Sequence, residues 1–198
     1  MIEIDAKGLI CPQPLMLAKQ ALDEAIVGES ICIVTDSETS MQNLMRFLAD
    51  LKANPVCEQT AGSFSILATK SEESSIMKDI PCSTGNNRSL VIAITSDVMG
   101  NGSEELGKIL MKAFINTIVE MEQQPTHIIF YNSGVWLAHN NSDVLASLKQ
   151  LEDSGVYILV CGTCANYFEI SAHIGVGQIS NMYTIADTLS KAALIIRP

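Results

Sequence analysis

Positive charge is scarce in this chain. Twelve Lys and Arg stand against 22 Asp and Glu, a formal net charge of −10. The deficit is evenly spread: residues 1–70 hold 5 basic and 9 acidic side chains, and residues 90–198 hold 5 and 10. Without a basic patch, nucleic acid and anionic membrane surfaces are excluded as expected partners. Long apolar runs are also missing. The longest, such as Leu90–Ile94, fall far short of the ~20 residues that cross a bilayer. The opening Met1-Ile2-Glu3-Ile4-Asp5 is unlike a signal peptide, so the expected location is cytoplasmic. There the six cysteines stay reduced, and their spacing is not that of a disulfide framework. His127, His139 and His173 lack metal-ligand spacing, and they read as ordinary surface or strand-end residues. Gly100-Asn101-Gly102 is glycine-rich, but the full dinucleotide fingerprint is absent. No metal and no cofactor is expected.

What is present is enough for buried cores: 47% hydrophobic and 17% charged residues, in a length of 198 that suits one or two domains. Residues 1–70 read strand, helix, strand, helix, strand, strand. Ile2–Ile4 opens the series. A helix after Pro12 puts Leu15, Ala18, Leu22 and Ile26 on one face, and Gly28 closes it. Ser30–Thr35 is a β-branched strand. Asp36, Ser37 and Ser40 offer caps for a helix with Met41, Leu44, Leu48 and Leu51 inward. Val56–Thr60 and Phe64–Thr69 flank a hairpin turn. Two helices over one face of a small sheet give a two-layer α+β sandwich. Cys32 and Cys57 fall on its strands and read as core.

Residues 71–89 are rich in Ser, Glu, Asn, Gly and Pro, a linker composition, and contain Cys82 with no activating neighbours. Residues 90–198 alternate strand and helix. Strands are expected at Leu90–Thr95, His127–Asn132, Val156–Val160, Gln178–Ser180 and Leu194–Arg197. Helices are expected at about 103–122, 143–153 and 185–192, with a short one after the Cys161–Cys164 loop. This is the pattern of a doubly wound parallel-sheet α/β domain with helices on both faces.

The chemistry-bearing residues are cysteines. Cys11 stands in Cys11-Pro12-Gln13-Pro14, where a helix starts. Pro12 and Pro14 occupy first-turn positions whose N–H groups have no intrahelical partner. Cys11 is then at or beside the N-cap, where the free N–H groups and the helix dipole favour thiolate. In the second domain, ligands are expected beyond the carboxyl ends of the strands, near the switch point. Three glycine-containing loops gather on that edge: Ser96–Gly102 with Asp97 and Gly100, then Asn132-Ser133-Gly134, then Cys161-Gly162-Thr163-Cys164. The Cys-x-x-Cys spacing is open to a redox pair, to half of a zinc site that would need two more ligands, or to core packing. Trp136 reads as a packed loop anchor.

Asp5, Gly8, Cys11, Pro12 and Pro14 resemble the signature of the TusA (SirA-like) sulfur carriers over residues 1–70. That resemblance implies a single cysteine carrying sulfur as a persulfide. Residues 90–198 resemble the DsrE family, through Asp97-Val98-Met99-Gly100, Tyr131-Asn132-Ser133-Gly134-Val135 and Val160-Cys161-Gly162-Thr163-Cys164. It implies sulfur passage through a cysteine at the end of an inner strand, the position of Cys161. Glu169 departs from that pattern, which has a glycine there. The domain order resembles the YedF group, linked by name to selenium metabolism.

The expectation is a sulfur or selenium carrier and transferase. Cys11 takes the chalcogen from a donor protein and passes it on, with Cys161 as second acceptor and Cys164 as resolving thiol. An acceptor protein follows, and the resemblance implies a homo-oligomer formed through the second domain. Two other classes fit the same residues: a non-catalytic adaptor or sensor, and a dithiol oxidoreductase centred on Cys161 and Cys164.

Overall fold

The computed structural model describes residues 1–9, 13–60, 62–72 and 89–198. Cys11, Pro12 and Cys82 lie outside the described residues. The chain divides into two compact units.

The first unit carries a four-stranded sheet. Its elements are β1 (Ile2–Asp5), α1 (Gln13–Glu24), β2 (Ser30–Thr35), α2 (Glu38–Asp50), β3 (Val56–Thr60) and β4 (Ser63–Thr69). The sheet order is β1-β2-β4-β3. β1 runs parallel to β2, and β4 is antiparallel to both its neighbours. The two-residue period of β2 sends Ile31, Ile33 and Thr35 inward, where they are buried. They meet Leu15, Ala18 and Leu22 of α1 and Leu44, Phe47 and Leu48 of α2 in one core. The two-layer α+β expectation holds.

Some boundaries differ for local reasons. α1 stops at Glu24, so Ile26 leaves the inner stripe and is 74% exposed. Gly28, at φ +87°, turns the chain into β2 as its N–H bonds the carbonyl of Lys70. Ser37 caps α2, its hydroxyl accepting the Ser40 N–H at 3.2 Å. Phe47 joins the inner stripe beside the anticipated leucines.

In the second unit the elements are β5 (Leu90–Ile94), α3 (Glu104–Val119), β6 (His127–Phe130), α4 (Leu145–Asp153), β7 (Tyr157–Cys161), α5 (Gly162–Tyr167), β8 (Gln178–Ser180), α6 (Met182–Ser190) and β9 (Leu194–Ile196). The order is β8-β7-β6-β5-β9, parallel throughout. β5 and β6 are buried at every position, as central parallel strands are. The chain steps from β5 to β6, β7 and β8 in one direction and returns past β5 to β9, so with the right-handed crossovers that parallel sheets take, α3, α4 and α5 share one face and α6 takes the other. The doubly wound expectation holds. Met111, Ile115, Leu148 and Ala165 pack against Ile92, Ile94, Ile128, Phe130, Ile158 and Val160 in its core. α3 ends earlier than expected, at Val119, and β6 ends at Phe130 because Asn132 turns to φ +53° and opens a 3-10 segment, Asn132–Ala138. α4 begins at Leu145, and α6 sits about one turn earlier than anticipated.

Candidate functional site

Two regions hold the predicted residues. In the first unit, β1 and β2 leave the sheet side by side, Asp5 opposite Val34. Asp5 Oδ1 accepts the Lys7 N–H at 3.1 Å, a turn closed by the residue's own side chain. Gly8 sits at φ +70°, where a side chain would be strained, and donates its N–H to Asp36 Oδ1 at 2.9 Å. Two carboxylates thus fix the turn that delivers the chain toward residue 10. Pro14 is the buried second residue of α1. Sequence reasoning had Asp36 only as a helix cap. Its bond to Gly8 spans 28 residues, and the available signal was an aspartate at the end of the strand beside the Asp5 turn.

Cys32 is not a core residue. It alternates with Ile31 and Ile33 and so lies on the sheet face away from the helices, half-buried beside Glu3. Cys57 is half-buried and touches the core. Burial and the charges of Glu3 and Glu58 push the Cys32 thiol up, and burial and Glu58 do the same for Cys57. Both stay protonated thiols at neutral pH.

In the second unit, Cys161 is the last residue of β7 and is fully buried. It is still extended, at φ −62° and ψ 114°, and the chain becomes helical at Gly162. Cys164 follows on α5, partly exposed. The two thiols are coupled: the interaction with Cys164 and burial push the Cys161 thiol far up, against the backbone N–H groups of Cys164 and Thr163 that face it. The same interaction pushes the Cys164 thiol down, against the effect of its own burial. The backbone N–H of Asn132 donates to Cys164 Sγ at 3.1 Å. A donor on this sulfur favours its anion. Both cysteines are free thiols.

The donor loop is held by close packing. A Cβ at Gly134 would lie 2.4 Å from the carbonyl oxygen of Ile94, so only glycine fits. The same carbonyl accepts the Tyr131 N–H at 3.1 Å. Loops two and three therefore meet through Asn132 and Cys164, with Ser133 next to Asn132 and Gly162 two residues before Cys164. The first loop, with Asp97 and Gly100, turns back on α3, where the Met99 N–H bonds the carbonyl of Gly107 at 3.0 Å. The switch point of this sheet lies between β5 and β9, where the strand order reverses. The cysteine pair stands after β7, away from it.

The histidines stand where the sequence reading put them, His127 at a strand end and His173 exposed, but they stack with aromatic neighbours. His127 is buried at the start of β6, stacked on Tyr157 with centroids 5.4 Å apart. His139 and His173 stack on each other at 5.8 Å, and Trp136 joins His139 at 5.6 Å and Phe168 at 5.9 Å. An aromatic row thus runs from the end of α5 to His173. Among the described residues, no three His, Cys, Asp or Glu side chains are grouped to hold a metal ion. No described helix is long and apolar enough to cross a membrane.

The profile described as the DsrE/DsrF-like family matches residues 88–198. The chain belongs to the DsrE/DsrF-like family. Ahead of that domain, the Sulfurtransferase TusA profile matches residues 2–70, so the fusion of the two domain types is established. The first domain is similar to a Methanocaldococcus jannaschii protein named "Putative sulfur carrier protein", 34% identical over 71 residues, covering 35% of this chain and 95% of that one. A SirA-like protein from Desulfitobacterium hafniense is 30% identical, covers 36% of this chain and all of its own, and has a TM-score of 0.34. The ychN protein of E. coli is 18% identical, covers 56% of this chain and 99% of its own, with a TM-score of 0.45.

Proposed function

We propose that this chain is a sulfur carrier and transferase. Cys11 accepts sulfur as a persulfide from a donor protein, and the atom passes to the cysteine pair of the second domain and on to an acceptor. The observation that carries the reading is the fusion itself: a TusA-type domain shares one chain with a domain whose Cys161 and Cys164 are coupled, Cys164 also accepting the Asn132 N–H. Asp5, Gly8 and Pro14 serve by shaping the entry to Cys11. Joining the domains raises the effective concentration of one thiol near the other. Selenium is the alternative cargo, since a selenosulfide forms and exchanges by the same displacement.

The test is mass spectrometry of the full chain after incubation with a persulfide donor. Whole sulfur atoms should appear on the Cys11 peptide, and Cys11→Ser should abolish that signal without changing the circular dichroism spectrum. Equal loading on residues 1–70 in both proteins overturns Cys11 as the carrier. A second reading is a dithiol oxidoreductase, favoured by the Cys161–Cys164 coupling. It would give loss of two hydrogens at that pair and no sulfur gain anywhere. An adaptor would give neither.

The second domain is also proposed to self-associate. Leu106, Ile109 and Leu110 on α3 are 53%, 60% and 42% exposed, an apolar stripe at helical spacing. Ile109→Glu should lower the mass seen in size-exclusion chromatography with light scattering. An unchanged mass would remove this stripe from the assembly.

A further inference from the structure

We propose that the nucleophile of the second domain is Cys164, held by the backbone N–H of Asn132, and that Cys161 is the buried resolving thiol. This rests on the sulfur-transfer reading above and reverses the roles that strand position alone would give the two cysteines.

Three observations converge. The first is access. Cys161 is 0% exposed at the end of β7, whereas Cys164 reaches solvent. A donor's terminal sulfur must be met in line by the attacking sulfur, and only Cys164 offers a face to it. The second is the donor that reaches Cys164 from the neighbouring loop. Cys164 Sγ accepts the Asn132 N–H at 3.1 Å, a donor from a separate loop, and its thiol is pushed down against its own burial, while Cys161 stays pushed up although the N–H groups of Thr163 and Cys164 act on it. An acceptor sulfur is the one prepared to carry negative charge. The third is rigidity. Asn132 sits at φ +53°, and the loop after it is locked because Gly134 lies against the Ile94 carbonyl with no room for a Cβ. The donor is thus fixed before any substrate arrives, which is how a charge-stabilising group works best.

The chemistry closes without a missing partner. The Cys164 thiolate attacks the terminal sulfur of a persulfide, R–S–SH. The donor's S–S bond breaks, R–S⁻ leaves with the electron pair, and Cys164–S–SH forms. The Cys161 thiol then loses its proton to solvent and attacks Cys164 Sγ. A Cys161–Cys164 disulfide forms and hydrosulfide, HS⁻, departs with the electron pair of the broken bond. Two equivalents of a small thiol reduce the disulfide, becoming a disulfide themselves, and restore both cysteines.

The experiment uses the full chain and two probes, limiting iodoacetamide and inorganic polysulfide, with each cysteine read by peptide mass spectrometry. In the unaltered protein, Cys164 should alkylate faster than Cys161 by more than about tenfold. After polysulfide, Cys161→Ser should hold an extra sulfur on Cys164, and Cys164→Ser should hold none on Cys161. The unaltered protein should end as the disulfide with free sulfide released. Faster alkylation of Cys161, or loading of Cys161 in Cys164→Ser, overturns the role assignment and leaves the relay standing. Loading of Cys11 with none on either Cys161 or Cys164 in any variant overturns the assignment together with the second half of the relay. Should Cys161→Ser fail to fold, Cys161→Ala and the alkylation order in the unaltered protein decide the question.

Discussion

The two sheets treat their cysteines in opposite ways. Cys32 and Cys57 stand on strands of the first sheet with carboxylates as neighbours, and their thiols are pushed up. Cys161 and Cys164 stand at the carboxyl end of the second sheet with donors as neighbours, and one thiol is pushed down at the other's expense. Burial acts upward on all four. The difference therefore lies in which groups face the sulfur. A cysteine is pushed down here only where donors outweigh burial, as at Cys164; at Cys161 the N–H groups of Thr163 and Cys164 do not.

The sharpest way to break this comparison is to time alkylation against pH. At pH 7, Cys164 should react about a hundredfold faster than Cys32 or Cys57, because their thiolate fractions differ by that order. Its rate should level off below pH 8.5, the ordinary thiol range, while theirs keeps rising beyond it. Equal profiles by peptide mass spectrometry would mean the donors at Cys164 do nothing.

Next in size is Gly134→Ala. The new methyl must push on the Ile94 carbonyl at 2.4 Å. Stability to urea should fall by about 2 kcal/mol, as overpacking does, and Cys164 alkylation should slow with it. A slower thiol in a fully stable protein would sharpen the case that Asn132 acts on chemistry; a fast one in a destabilised protein would break it.

Glu169→Gly should have a smaller and opposite effect. Glu169 lies just past α5 at φ +59°, so removing its Cβ relieves strain and gains up to about 1 kcal/mol. Urea denaturation reads this directly, and a loss of stability would mean the side chain itself contributes.

The smallest effect concerns the far end of the sheet. Burial pushes His127 down from 6.5. Its unfolded form binds a proton at higher pH than its folded form. Its contribution is therefore complete above pH 6.5 and is lost as pH falls toward the lowered folded value. His127→Phe keeps the stack on Tyr157 and should flatten the acid limb of a stability–pH curve, leaving Cys164 alkylation unchanged. A change in both would couple the two ends of β6 and β7.

Much of the architecture was legible because it is written in side-chain periodicity. Ile31 and Ile33, then the unbroken Leu90–Ile94 run, announce a half-covered sheet and a fully covered one. The glycine missing at residue 169 was legible too, since the backbone there does adopt the left-handed conformation that glycine favours. The donors of the site were not legible. Asn132 acts through its main chain, which every residue has, and its partner lies 32 residues away. Asp36 acts across 28 residues on a glycine N–H. Pairings of that kind exist only once strands have been set side by side. Cys32 was misplaced because its strand has apolar or neutral residues on both faces, so composition alone did not say which face is inward.

The outermost strands of the second sheet, β8 and β9, are only three residues each. Each leaves a row of main-chain groups too short to template another strand. The second domain should therefore resist the edge-to-edge stacking that seeds amyloid growth, even though the strands between those rims are almost wholly apolar.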